Sequence, residues 1–234
     1  MQDQVKLGEM IHHLLQVDDQ TWGLYAFSRD ILNQRIPLDK KTEMIHKAIA
    51  CGKEYAQRVI CEYGSRDIRM IATKLKVNIE FRDSKMTGKR VLFANYTPPN
   101  RIEIMEEPVQ RAVQLLSGTD VMLYKLVQQD DIMDTILGHE IFHLIEDNNE
   151  QEIYTRTEKI CLWSFMGYKS YSTIRTLSEI GAMAFTQELN GLSYSPFMLD
   201  VLLYYSYDST SAEKIYRDVL GVSLGRCRET VEDS

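Results

Sequence analysis

His139 and His143, four residues apart with Glu140 directly after the first, are the residues of this chain best placed for metal chemistry. On an α-helix, positions i and i+4 stand one above the other on the same face. The two imidazoles therefore converge on one point, and neutral imidazole nitrogens are good zinc ligands. Glu140 lies roughly a quarter-turn around the helix, so it misses the metal and reaches a water bound to it. That is the arrangement needed for a metal to acidify water while a carboxylate takes its proton. The H-E-x-x-H sits within an apolar run from Ile132 to Ile145. Met133, Leu137, Ile141 and Leu144 form one stripe, and Ile132 and Ile136 lead into the histidine stripe. Such a helix is predicted to be buried on most faces, where two histidines and a glutamate are costly unless paired or metal-bound.

Two histidines leave a catalytic zinc one protein ligand short, since three ligands and a water are the usual set. No histidine follows His143, so the third ligand must be a carboxylate or a cysteine. Glu146, Asp147, Glu150, Glu152, Glu158, Cys161, Glu179 and Glu188 are the downstream candidates. Asp147 is one turn past His143 but would have to bend back to a metal also held by His139. Glu179 is set among Leu177, Ile180, Gly181, Ala182, Ala184 and Phe185. The small members of this set, Gly181, Ala182 and Ala184, let two helices approach closely enough for a metal to bridge them, and a buried glutamate needs a partner. The competing reading pairs Glu179 with Arg175, one turn earlier, as a surface ion pair; the setting favours the ligand. As oxyanion donors, Tyr168, Tyr171, Tyr194 and Arg175 stand level.

The elements that must carry these residues are mostly helical. Periodicity marks helices over residues 4–16, Thr21–Asn33 and about Leu38–Tyr63, the last entered after Pro37 and ended by Gly64. His12 and His13 are adjacent and diverge by about 100° on a helix, so they cannot share a metal. Ser65 is the expected cap of a short helix reaching Leu75. Val77–Phe81, Arg90–Asn95 and Arg101–Met105 read as strands, with turns at Ser84–Gly88 and Pro98–Asn100, and predict a small antiparallel or mixed sheet. Helical pattern resumes near Pro108, breaks near Gly118 and runs into the histidine helix. Further helices are expected over Ile153–Phe165, Thr173–Leu189 and Pro196–Tyr205, the last with Pro196 at its first position. A Thr210-x-x-Glu213 capping box opens a final helix ending near Gly221, and the polar tail from Arg226 is expected to fray.

A chain of 234 residues holds one large domain, or a core with extensions. Its net charge of −7 disfavours a nucleic-acid surface. No apolar run reaches the length of a membrane span, and Met1–Gln4 lacks the basic and apolar regions of a signal peptide. Cys51, Cys61, Cys161 and Cys227 show no C-x-x-C spacing and read as reduced thiols of a cytoplasmic protein.

His139-Glu140-x-x-His143, followed by Glu179-x-x-Ala182-x-x-Phe185-x-x-x-Leu189, resembles the paired motifs of the ImmA/IrrE family of metallopeptidases. Asp67-Ile68-x-x-Ile71-Ala72-x-x-Leu75-x-Val77 is similar to that family's entry helix and first strand. The resemblance covers about Ser65 to Leu189. It implies a small α+β gluzincin fold, zinc held by His139, His143 and Glu179, and Glu140 as general base. Family members are bacterial or phage proteins, several of which relieve repression by cleaving, or promoting loss of, a helix-turn-helix repressor. Three positions depart from the pattern. Asp147 stands where many members have a further histidine, Thr186 replaces an alanine, and Leu189-Asn190-Gly191 replaces a Leu-Leu-x-Pro ending.

The expectation is therefore a mostly helical α+β protein: a zincin-like core with a small antiparallel or mixed sheet, flanked by helical extensions. Residues 1–64 form an N-terminal helical segment packed on the core, 65–190 the metallopeptidase core, and 191–234 a C-terminal helical segment. The expected activity is zinc-dependent hydrolysis of a peptide bond in a protein substrate, with a helix-turn-helix repressor as the implied class, one zinc per chain, and no nucleic-acid or membrane partner. The alternative is a non-proteolytic, zincin-like regulatory protein that acts by contact with a transcription factor or by sensing a ligand.

Overall fold

Caps and turn residues divide the first third of the chain. Asp18 accepts a hydrogen bond from the Thr21 amide and opens α2 (Asp19–Ser28), after α1 (Gln2–Leu14). A 3-10 turn at Asn33–Arg35 and Pro37 lead into α3 (Leu38–Tyr63). That helix stops at Gly64, whose φ of 66° is the left-handed cap conformation that glycine adopts without strain. α4 (Ile68–Lys74) is capped by Asp67, which accepts from the Arg69 and Met70 amides. Ser65, the expected cap, instead accepts from the Asp67 amide and orders the residue before the cap. In this computed structural model the described residues are 2–83, 86–87, 90–91, 93–117, 119 and 129–232.

The strands are β1 (Asn78–Arg82), β2 (Met86–Thr87), β3 (Arg90–Val91), β4 (Ala94–Thr97) and β5 (Arg101–Met105). β5 pairs in parallel with β1 and antiparallel with β4, giving a mixed three-stranded sheet with β4 on one edge. Its central place explains why Ile102, Glu103, Ile104 and Met105 are all buried. β2 and β3 form a separate two-residue ladder, so the strand expected from Arg90 divides in two. Positions 84, 85, 88, 92 and 118 of the expected turn, strand and helix break lie outside the described residues.

α5 (Glu106–Leu116) and α6 (Gln129–Asn148) follow, then a single short helix, α7 (Tyr154–Thr157). Here the helix expected over Ile153–Phe165 is wrong. The chain leaves α7 and forms an antiparallel hairpin, β6 (Lys159–Phe165) with β7 (Tyr168–Thr173). The physical reason is local. Ile160, Trp163 and Phe165 favour a pleated strand, and Met166 and Gly167 both adopt positive φ, 47° and 85°, closing a two-residue hairpin turn.

α8 (Arg175–Asn190), α9 (Met198–Tyr205) and α10 (Ser209–Glu232) complete the chain. α9 begins after a turn in which the Met198 and Leu199 amides donate to the carbonyls of Ser195 and Pro196, so Pro196 precedes the helix rather than opening it. Asp208, not Thr210, caps α10 by accepting from the Ser211 amide, and α10 continues through Gly221 to Glu232 rather than fraying from Arg226. The result is α+β and mostly helical.

α8 lies between α3 and α6, and α6 also packs on β4 and β5. Two glycines permit this closeness. A Cβ on Gly52 of α3 would stand 2.2 Å from the Gly181 carbonyl oxygen of α8, and a Cβ on Gly181 would stand 2.9 Å from Cζ of Phe142 on α6. The small residues of α8 thus seat α3 as well as the histidine helix. One buried cluster runs from Leu7 through Trp22, Ile45, Ile71, Ile102, Phe142, Phe185 and Leu202 to Val219. No helix among the described residues is long and apolar enough to cross a membrane.

Candidate metal centre

α6 presents His139 and His143 one turn apart, with Ile132, Leu137, Ile141, Phe142 and Leu144 fixing its other faces in the core. The two Nε2 atoms are 3.1 Å apart. α8 brings Glu179, whose Oε2 lies 3.4 Å from Nε2 of His139. The three residues offer ligand atoms all within 4.8 Å of one another and could hold a metal ion. The histidine side chains are 17% and 16% exposed, but that of Glu179 is 52% exposed. The expectation of a buried Glu179 is therefore corrected. Its neighbours Leu177, Ile180, Gly181, Ala182, Ala184 and Phe185 are buried, while Glu179 itself points into an open cleft and is turned toward His139.

The first turn of α8 is capped from another part of the chain. Ile174 supplies no side-chain cap, and Asp30, between α2 and α3, accepts from Thr176 Oγ1 at 2.7 Å and from its amide at 3.4 Å. A residue of the N-terminal third thus anchors the helix that carries Glu179.

Burial pushes the His139 imidazole down, but the Glu179 hydrogen bond and charge, with Glu140 nearby, outweigh it and hold the ring at about 9. Desolvation by the cleft wall raises the Glu179 carboxyl, and the His139 hydrogen bond and the two imidazole charges bring it to about 2. These are two views of one pair, which solvent screens because Glu179 is half exposed.

Glu146 and Asp147, weighed from sequence as ligands on the same helix, face elsewhere. Glu146 is fully buried with Oε2 3.0 Å from Nδ1 of His143, the nitrogen away from His139. Burial raises its carboxyl, but hydrogen bonds from His143, Ser178 and Thr155 prevail and leave it below the ordinary value. Asp147 pairs with Arg156 at 2.9 Å, and its charge adds to burial in pushing up the hydroxyl of Tyr96 on β4. Cys161 is exposed on the hairpin.

The cleft has a volume of about 840 Å³, room for several residues of an extended peptide. Glu140 lines it beside His139 and Glu179. Of the four oxyanion donors considered from sequence, Arg175 lines it; Tyr168 and Tyr171 are exposed on the hairpin, and Tyr194 is buried, its hydroxyl pushed up to about 12 by burial and the charge of Asp131.

Sequence reasoning missed Tyr25, Arg29 and Asp200, which also line the cleft. Burial raises Asp200 to about 6 against the opposing charges of His139 and Arg29. Its signal was present: one carboxylate in the run Met198-Leu199-Asp200-Val201-Leu202-Leu203, whose apolar members are all buried. Tyr25 on α2 and Arg29 just past its end gave none, since α2 has no apolar stripe pointing to a cleft. Comparison with protein families, curated proteins and solved structures finds no match to this chain.

Proposed function

We propose that this protein is a zinc-dependent metallopeptidase of the ImmA/IrrE type, with His139, His143 and Glu179 as zinc ligands and Glu140 as general base. The observation that carries the reading is the spacing of the ligand atoms. Zinc bonds of about 2.0–2.2 Å in a tetrahedral site place neighbouring ligand atoms about 3.3–3.6 Å apart, against 3.1 Å between the histidines and 3.4 Å from His139 to Glu179. Two imidazoles and one carboxylate are also the donor set of a catalytic zinc that keeps one position open.

Held by His139, His143 and Glu179, zinc would supply a Lewis acid that polarises the scissile carbonyl and acidifies water. Glu140 would take the proton of the attacking water and hand it to the leaving amine as the C–N bond breaks. Phe93 and Ala94, at the start of β4, line the cleft at the sheet's edge, so an extended substrate chain can lie along that edge. Of the four donors weighed, Arg175 is the one that lines the cleft, which supports it as the group that would steady the developing oxyanion. The substrate class is a protein, with a helix-turn-helix repressor as the candidate that the motif resemblance suggests, in the cytoplasm of a bacterial or phage-infected cell.

The test separates metal binding from chemistry. Protein purified with zinc supplied should carry about one zinc per chain. Glu140→Gln should keep the zinc and lose about 10²–10⁴-fold in peptide-bond hydrolysis, while His139→Ala should lose both. The readout is derepression of a neighbouring gene, with zinc measured in parallel. Full biological effect from a zinc-loaded Glu140→Gln protein would remove the peptidase reading and leave the non-proteolytic regulatory protein standing.

A further inference from the structure

We propose that Glu146 is a positioning residue that fixes the tautomer and orientation of His143, holding its proton on Nδ1 and leaving Nε2 bare toward the point where the three ligand atoms converge. The argument starts from donors and acceptors. The Glu146 side chain is fully buried, and four groups from three elements converge on it. Nδ1 of His143 on α6 lies 3.0 Å from Oε2. Ser178 Oγ of α8 donates to the same oxygen, and Thr155 Oγ1 of α7 donates to Oε1. Arg156 Nε, also of α7, lies 3.3 Å from Oε2.

A carboxylate accepts only, so the ring nitrogen facing it must carry hydrogen. A neutral imidazole has one such hydrogen, so Nε2 of His143 is left as a lone pair. The other end of the ring agrees. Nε2 of His143 faces Nε2 of His139 at 3.1 Å, and two bare nitrogens would repel at that distance. With His143 bare at Nε2, His139 supplies the hydrogen from its own Nε2, which also faces Glu179 at 3.4 Å. His139 has no comparable support behind it, for its Nδ1 is buried without a hydrogen-bond partner. One ligand is oriented from behind by a buried carboxylate, and the other from in front by Glu179 alone.

Glu146 also joins the two helices that carry the ligands. Ser178 precedes Glu179 on α8, so a carboxylate bonded to both Ser178 and His143 fixes the distance across the site. Supporting hydrogen bonds of this kind set ligand basicity and direction.

Two measurements test the assignment, and only the second rests on the metal reading above. In chelator-treated wild-type protein, at a pH high enough to leave both imidazoles neutral, long-range proton–nitrogen correlation spectra should show His143 protonated at Nδ1 and His139 at Nε2. In Glu146→Gln the Nδ1 preference of His143 should be lost; the Ser178→Ala protein should retain it, because Glu146 remains. A wild-type His143 protonated at Nε2 overturns the proposal, and needs no variant to fold. Zinc titration against a competing chelator should then show Glu146→Gln weakened about 10–100-fold, with Glu146→Asp partly restoring affinity. Equal affinity in the wild type and a folded Glu146→Gln protein also overturns it. Wild-type protein that binds no zinc but shows the Nδ1 tautomer would defeat the metallopeptidase reading and leave the positioning role of Glu146 intact.

Discussion

The hairpin β6–β7 lies in the chain between helices α6 and α8, yet the hairpin and the helix pair present their side chains in opposite ways. Between the helices, Ile141, Phe142, Ile180, Ala182 and Phe185 are buried, and Gly181 admits contacts that no Cβ would allow. On the hairpin, Trp163, Phe165, Met166, Tyr168 and Tyr171 account for five of the nine exposed large apolar side chains among the described residues. The helices therefore form a platform whose geometry is over-determined by packing. The hairpin is held by its own ladder and by a root that reaches the cleft through Ser172 and Thr173. A two-stranded ribbon alone is marginally stable in water, so substitutions of similar size should have very different consequences in the two regions.

The largest difference is expected at the ligands. Glu179→Ala removes a proposed ligand from the platform and should abolish tight zinc binding, whereas Asp147→Ala removes only the partner of Arg156 and should weaken binding mildly. Chelator competition on the two proteins decides this. Equal or reversed losses would move the third ligand onto α6 and undercut the assigned set.

Packing comes next. Gly52→Ala places a Cβ 2.2 Å from a backbone oxygen of α8, which cannot turn aside as a side chain can. Overpacking of this kind destabilises by about 1–3 kcal/mol, and the upper end is expected because α3 and α8 must separate along their contact. Urea unfolding would show a lowered midpoint with an unchanged slope. A variant as stable as wild type would mean that the two helices are less closely fitted than the glycines indicate.

The platform was legible from sequence because its signals are local and periodic. The i, i+4 histidines, the apolar stripes and the small residues around Glu179 all follow from a period of 3.6, and the strand at Val77–Phe81 from a period of 2. The hairpin was misread because its turn is Met166-Gly167, which lacks the Asn-Gly or Asp-Gly signature, and because Ile160, Leu162 and Trp163 also fit a helical stripe. Capping by Asp30 and the cleft wall of Tyr25, Arg29 and Asp200 depend on contacts between distant segments, which no single-segment pattern carries. Glu146 was considered as a ligand, and its true direction depends on Thr155 and Ser178 arriving from two other elements.

A smaller effect comes from pH, and its sign follows from the His139–Glu179 pair. His139 is raised in the folded protein from 6.5 to about 9, so without metal its contribution is fully present below pH 6.5 and is lost as pH rises through 9. Glu179 is depressed from 4.5 to about 2, so its contribution is present above pH 4.5 and is lost as pH falls through 2. Chelator-treated protein should therefore draw most from this pair between pH 4.5 and 6.5, by a modest amount because solvent screens Glu179. Zinc must displace the His139 proton, so apparent zinc affinity should rise with pH up to about 9. Thermal unfolding with and without zinc across pH 6–9 checks the opposed signs; parallel curves would show that the metal does not bind at His139.

The smallest effects belong to the hairpin, where substitutions in the turn and on the aromatic face should act in opposite directions. Phe165 is 68% exposed, so Phe165→Ser surrenders little burial and only the cross-strand contact with Tyr168, worth about 0.2–1 kcal/mol. Met166 is 81% exposed and sits at φ 47°, a left-handed conformation that disfavours most L-residues by about 1–2 kcal/mol. Asparagine tolerates that region and precedes glycine in the preferred two-residue turn. Met166→Asn should therefore stabilise the protein, by about 0.5 kcal/mol, while Phe165→Ser destabilises it slightly, and neither should change zinc affinity. Urea midpoints measured side by side would show opposite shifts of similar size. Loss of more than about 2 kcal/mol in Phe165→Ser would mean that the aromatic face is packed against something, and the contrast between a fitted platform and an uncovered hairpin would fail.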